Sequence, residues 1–342
     1  MSQTAAASLP KVLLHEHLDG GLRLSTLFEL LRARGLPCPT DDLPALGRWF
    51  DARAHAGSLV EYLRGFDLTV AAMATPEAME RVAYEAAEDA RADGCVLAEF
   101  RIAPLLFEAH GVSGEAAIEA LVAGLRRSPL PSGLIVCAMR HLAPSETLRA
   151  ARLAAAYRDR GVIAFDLAGA EFGHPPSDHA QAIAAARDGG LALTLHAGEA
   201  DAAERVVEAA RLGATRVGHG VRLADALTDP RRRALVDEVI ERGVHLEVCP
   251  TSNVHTAAAP SIAEHPIVAL HRAGVSVGVN TDNRLMSGIT LSGECVALLE
   301  HTPLTLQDLA QMQVQAAQHS FLPAAQRNAA LAALRAVQAS ST

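Results

Sequence analysis

The sequence is short of cysteine, of basic charge and of long apolar runs. Its five cysteines, Cys38, Cys95, Cys137, Cys249 and Cys295, lie far apart, and no Cys-x-x-Cys pair occurs. That excludes a zinc ribbon, a thioredoxin-type redox motif and a small disulfide scaffold. Lys and Arg number 30 against 39 Asp and Glu, a net charge of −9. Phosphate binding needs a basic surface, so nucleic acid is excluded as the main partner. The single basic cluster, Arg231-Arg232-Arg233, follows Pro230 and precedes an apolar helical pattern, which reads as a solvated helix face. No run approaches 18 apolar residues, so no membrane span is expected. The N-terminus, Met-Ser-Gln-Thr-Ala-Ala-Ala-Ser-Leu-Pro, has neither a charged start nor a long apolar core, so it is not a signal peptide and the cytoplasm is the expected compartment. Internal repeats and low-complexity linkers are missing as well. Length alone suggests two domains, but residues 1–342 are better read as one unit.

What is present is apolar material and histidine. Half of the residues are hydrophobic and 20% are charged, which rules out general disorder. With 15 histidines and few thiols, any transition-metal site should use imidazole and carboxylate ligands. Eight short apolar segments read as strands: Val12–His17, Val96–Ile102, Leu134–Ala138, Val162–Leu167, Leu191–His196, Arg216–His219, Val244–Cys249 and Val275–Asn280. Near-continuous apolar runs suit strands buried on both faces of a parallel sheet. Helical patterns alternate with them, at Pro76–Ala92, Gly114–Arg127, Pro144–Arg160, His179–Asp188, Ala202–Leu212, Pro230–Arg242 and Ile262–Ala273. Many close on a glycine, which accepts the left-handed backbone that ends a helix. This alternation predicts a (β/α)8 barrel, with a doubly wound open sheet as the alternative. Residues 20–75 form a largely helical cap after the first strand, and the tail after Leu285 is helical. Polar residues gather at the strand C-termini: His15, His17, Arg101, Arg140, Asp166, His196, His219 and Asp282. In a barrel those ends carry the chemistry.

Four motifs stand at these ends. In Leu-His-Glu-His-Leu-Asp-Gly (14–20), strand alternation points His15 and His17 to one side, a two-imidazole metal clip or a pair of half-buried histidines beside a turn. His-Ala-Gly-Glu (196–199) offers a third imidazole and a proton carrier, or a helix-capping glutamate. Gly-His-Gly (218–220) lets the backbone bend sharply and a substrate approach closely. Asn-Thr-Asp-Asn (280–283) offers a carboxylate ligand, or an Asx turn into the next helix. Cys249 sits in a Cys-Pro turn without triad partners and reads as packing rather than as a nucleophile. Eleven histidines match no ligand spacing. Of these, His55 lies in the cap, where it could line a sugar pocket.

With Asp-Leu-Ala-Gly-Ala-Glu (166–171) and Cys-Pro-Thr-Ser-Asn (249–253) added, these motifs make the chain resemble the adenosine deaminases of the metal-dependent amidohydrolase superfamily. The resemblance runs from about residue 11 to 284. It implies a (β/α)8 barrel with one zinc held by His15, His17, His196 and Asp282. It implies Glu199 as the proton donor to purine N1 and His219 beside the attacking water. It places His17 and Asp19 near the ribose and Gly169 against the purine ring. The expected reaction is hydrolytic deamination of adenosine to inosine and ammonia. Adenine or a 5′-modified adenosine (aminofutalosine- or methylthioadenosine-type) is the alternative substrate. An ester- or amide-cleaving relative and a non-catalytic binding relative are the alternative functions. A two-metal hydrolase would favour a bridging Lys at the fourth strand, and Phe165-Asp166-Leu167 has none. Asn283 stands where many members carry Asp facing purine N7; its amide donates without needing a proton. Ala170 replaces another common Asp.

Overall fold

The computed structural model describes residues 6–55 and 59–340. Eight strands form one sheet: β1 (Lys11–Leu13), β2 (Cys95–Ile102), β3 (Ser132–Met139), β4 (Val162–Ala168), β5 (Ala192–Ala197), β6 (Arg216–His219), β7 (His245–Val248) and β8 (Ser276–Val279). They lie side by side in chain order, and every neighbouring pair is parallel. A doubly wound sheet needs a reversal of strand order, so this order discards the alternative and leaves the (β/α)8 barrel. The seam between β8 and β1 lacks a regular ladder. There the Asn280 side-chain oxygen accepts from the backbone N–H groups of Leu14 at 2.8 Å and His15 at 3.1 Å. Asp282 N–H donates to His15 O at 2.9 Å, and His17 N–H to Asp282 O at 2.7 Å.

The first strand is shorter than its apolar run predicts. Ladder pairing ends at Leu13, and His15 to His17 continue as an extended segment with isolated bridges, Glu16 to Asp282 and His17 to Arg101. The segment is shared between β2, whose Arg101 N–H donates to Glu16 O at 2.8 Å, and the seam. The expected helix Pro144–Arg160 also divides: the α-helix ends at Ala156 and a 3₁₀ turn spans Arg158–Arg160. The other expected helices lie close to their predicted ranges, shortened mainly at their N-terminal ends, as at Arg233–Glu241 and Ile267–Arg272.

The cap after β1 consists of helices Leu18–Gly21, Leu24–Ala33, Leu43–Ala54 and Leu59–Met73. Asp42 caps the third, accepting from Ala45 N–H at 2.7 Å. The tail carries helices Arg284–Ser287, Leu291–His301, Leu306–His319 and Ala324–Ser340. Among the described residues no helix is long and apolar enough to cross a membrane.

A layer of paired charges crosses the barrel interior. Arg101, Arg216, Glu99, Glu247 and Asp166 are all fully buried there. Arg101 bridges Asp166 at 2.8 Å and Glu247 at 2.6 Å, and Arg216 bridges Glu247 and Glu99, each at 2.6 Å. Buried charges persist only when paired, and stripping one partner from such a network costs about 3–5 kcal/mol. The layer lies directly beneath the histidines at the strand ends.

Candidate metal centre and active site

His15, His17, His196 and Asp282 come together at the C-terminal mouth of the barrel. One donor atom from each lies within 4.8 Å of the others. Two come from the segment after β1, one from β5 and one from the segment after β8.

Three of these four side chains are oriented from behind. His15 Nδ1 lies 2.9 Å from Glu247 Oε2, and His196 Nδ1 lies 3.0 Å from Asp166 Oδ1. A carboxylate can only accept, so both rings donate through Nδ1 and are left with a bare Nε2. Both bare nitrogens turn towards the other members of the cluster. His15 Nε2 lies 3.3 Å from Asp282 Oδ1 and has no hydrogen-bond partner. His196 Nε2 lies 3.2 Å from His17 Nε2. A bare ring nitrogen set against a carboxylate oxygen in a buried pocket calls for a cation between them, and three imidazoles with one carboxylate suit zinc. The second oxygen of Asp282 accepts from Ser252 Oγ at 2.5 Å, which leaves Oδ1 for the cluster.

Burial and the charge of Arg101 lower the pKa of His15 to about 4 against the pull of Asp282 and Glu247, so the ring is neutral as a ligand must be. Burial works to raise Asp166, but the ring N–H of His196 donating to it and the charge of Arg101 hold it below the usual carboxylate range. Asp166 and Glu247 thus stay ionised to receive the ring protons.

The backbone is shaped for the same purpose. His219 and Asp282 have φ of 59° and 60°, a left-handed conformation that costs about 1–2 kcal/mol outside glycine. Gly218 has no room for a side chain: a Cβ there would lie 2.9 Å from His15 Cε1 and 3.2 Å from His196 Cγ. At Gly20 a Cβ would run into the Asn283 side chain.

Glu199 and His219 stand beside the cluster. Glu199 Oε2 is 3.5 Å from His219 Nε2, and Glu199 Oε1 accepts from Thr256 Oγ1 at 2.8 Å. The Asn253 amide meets His219 Nδ1 at 3.0 Å, so Nε2 is the ring atom turned towards Glu199. Asp19 and Asn283 are buried, and each keeps a side-chain Oδ1 without a partner. Burial raises the Asp19 pKa to about 7, and the charge of Asp282 adds to this. Gly169 closes β4 with φ of 91°, next to His141.

His55 does not join the cluster. It is exposed at the end of a cap helix, against Asp51 and the ring of His255. Cys249 is buried with its thiol pKa pushed up by burial, which suits packing. Six residues around the site carry roles that the motif reading did not assign: Glu247, Asp166, Arg101, Ser252, Asn253 and Thr256. Glu247 left a visible signal, a carboxylate inside the apolar run Val244–Cys249, since a charge there must find a partner.

Comparison with known proteins gives concordant results. The adenosine deaminase family model matches residues 10–337. An adenosine deaminase of Mycobacterium bovis is 42% identical over 334 residues, covering 93% of this chain and 91% of that protein. Another, from Mycobacterium sp. strain JLS, is 43% identical over 330 residues, covering 92% and 91%. Among solved structures, an adenine deaminase from Arthrobacter aurescens superposes with a TM-score of 0.84 at 25% identity, covering 96% of this chain and 98% of that one. A zinc-bound amidohydrolase from Burkholderia ambifaria gives 0.86 at 26% identity, covering 97% and 91%.

Proposed function

The chain belongs to the adenosine deaminase family and is an aminohydrolase acting on a purine ring, and from that premise we propose which residues do the work and on which purine. His15, His17, His196 and Asp282 hold one zinc ion. The observation that carries this is the bare His15 Nε2 set against Asp282 Oδ1, with the Nε2 atoms of His196 and His17 meeting 3.2 Å apart beside them. Zinc at such a site acts as a Lewis acid that makes water nucleophilic at neutral pH.

The remaining steps belong to the protein's own side chains. His219 orients the attacking water with Nε2, its ring held from the far side by Asn253. Glu199, protonated, donates to ring N1 as the water oxygen adds at C6, so the ring does not have to hold the developing charge. The C6 amino group then leaves as ammonia. The Asn283 amide donates to N7, and the N–H of Gly169 meets the ring.

The substrate is a nucleoside, adenosine. Asp19 Oδ1 is buried without a donor, and a sugar hydroxyl supplies one that free adenine lacks. The product is inosine. The whole chain works as one catalytic unit in the cytoplasm, in keeping with five free cysteines.

Three measurements test this. Purified protein should carry about one zinc per chain, and chelation should abolish turnover in a spectrophotometric deamination assay. Glu199→Gln should keep the metal and lose at least about 100-fold in kcat; near-normal turnover would remove Glu199 from its role. On a panel of adenosine, adenine and 5′-modified adenosines, adenosine should have the highest kcat/KM. Equal efficiency on adenine would defeat the nucleoside reading.

A further inference from the structure

Glu171 belongs neither to the metal cluster nor to the reacting groups, yet its carboxylate is buried and fully engaged. Its Oε1 accepts from Gly198 N–H at 2.5 Å. Its Oε2 accepts from the N–H groups of Glu199 at 3.0 Å, Ala200 at 2.7 Å and Asp201 at 3.2 Å. These four consecutive donors form the turn between β5 and the helix Ala203–Arg211. No helix or ladder supplies that turn with acceptors, and the Gly198 N–H is buried, where an unpaired donor is costly. A single carboxylate therefore serves the whole turn. The turn is fixed elsewhere too: Gly198 has φ of 68°, and Arg222 donates to Gly198 O at 2.8 Å and to Glu199 O at 3.2 Å.

Glu171 lies two residues after Gly169, on the loop that follows β4. It thus joins the loop set against the purine ring to the turn that carries the proton donor. Thr256 fixes the carboxyl end of Glu199, and Glu171 fixes its backbone end. We propose that Glu171 is a positioning residue for the deamination, holding Glu199 in reach of ring N1 by clamping the 198–201 turn to the purine-binding loop. This rests on the proton-donor role assigned to Glu199 above.

An amide cannot replace this clamp. Glutamine keeps one acceptor oxygen and presents an NH₂ group to the remaining donors, so either one or three of the four bonds are lost to repulsion. A displacement of about 1 Å of a catalytic group can cost about 100-fold in rate.

The test is a double-mutant cycle of Glu171→Gln and Glu199→Gln, with zinc content, kcat and KM measured for each folded, metal-loaded protein. Glu171→Gln alone should lower kcat about 100-fold with KM changed less than about threefold and zinc content unchanged. In the Glu199→Gln background, adding Glu171→Gln should cost less than about threefold, because the group it positions is already gone. Wild-type kcat for Glu171→Gln would overturn the proposal. So would an equal loss in both backgrounds, which marks a general structural role. If Glu171→Gln does not fold, Glu171→Asp, which keeps the charge but withdraws it by one methylene, enters the same cycle under the same criteria. Near-normal turnover of Glu199→Gln alone would overturn the acid role; an inactive Glu199→Gln with an additive cycle would overturn only the role of Glu171.

Discussion

At the scale of single residues, the site shows why the proposed ligands are legible in a sequence and their supports are not. His15 and His17 stand in one short motif, and strand alternation alone sets them on one side. The carboxylates that orient the rings come from far along the chain: Glu247 follows His15 by 232 residues. No local spacing announces such a pair. Asp166 was visible as a polar residue at a strand end, but its partners, His196 on the adjacent strand β5 and Arg101 on β2, are brought to it only by the assembled sheet. Replacing it with asparagine exposes its role. Asp166→Asn removes the charge that receives the His196 ring proton and leaves Arg101 with one carboxylate fewer. Zinc affinity should fall about 10- to 100-fold, as is usual when the group behind a metal-bound histidine is lost. Competitive chelator titration reads this directly, and unchanged affinity would show that the His196 ring is held by packing alone. Gly218→Ala should act in the same direction through sterics, since its Cβ enters the space of the His15 and His196 rings.

At the scale of elements, the alternation of apolar runs and helical patterns named all eight strands, while boundaries shifted where tertiary partners intervened. The predicted first strand, Val12–His17, shortened because its last residues bond to the Asn280 side chain and the Asp282 backbone. The short helix Pro250–His255 is a further element whose importance shows only in space. It delivers Ser252 to Asp282 and Asn253 to His219, and Glu294, from the helix Leu291–His301, accepts from Thr251 N–H at 3.2 Å to hold it. Burial raises the Glu294 pKa from its ordinary 4.5 to about 8, opposed by the Thr251 hydrogen bonds. A raised folded-state pKa means that the native protein holds a proton the unfolded chain releases. The stabilisation is full below 4.5 and is lost as pH climbs towards about 8. Glu294→Gln is neutral throughout and lacks this dependence. Urea unfolding across that window should show the variant gaining on the wild type as pH rises. A constant difference would assign the slope to other groups.

At the scale of the molecule, the proposed metal site and the barrel seam are one construction. β1 and β8 never form a regular ladder. Their edges are joined by Asn280 Oδ1, which takes the N–H groups of Leu14 and His15, and by the backbone bonds around Asp282. The proposed ligands straddle this seam, His15 and His17 on one side and Asp282 on the other, with His196 across the mouth. A cation bound there closes the barrel as well as serving the reaction, so folding and metal affinity should be coupled. Asn280→Ala separates the two contributions. It leaves two buried N–H groups without an acceptor, at about 1–3 kcal/mol each, so metal-free protein should lose about 2–6 kcal/mol of unfolding free energy. Because the unpaired groups adjoin His15, zinc affinity should fall as well. Zinc stabilises the native state in proportion to the logarithm of its concentration over Kd, so the stability gained on adding a fixed concentration should be smaller for the variant than for the wild type. Urea unfolding with and without zinc gives both quantities. An equal zinc-induced gain in the two proteins would mean that the seam can loosen without disturbing the ligands, and that the metal site is held by the ionic layer beneath it alone.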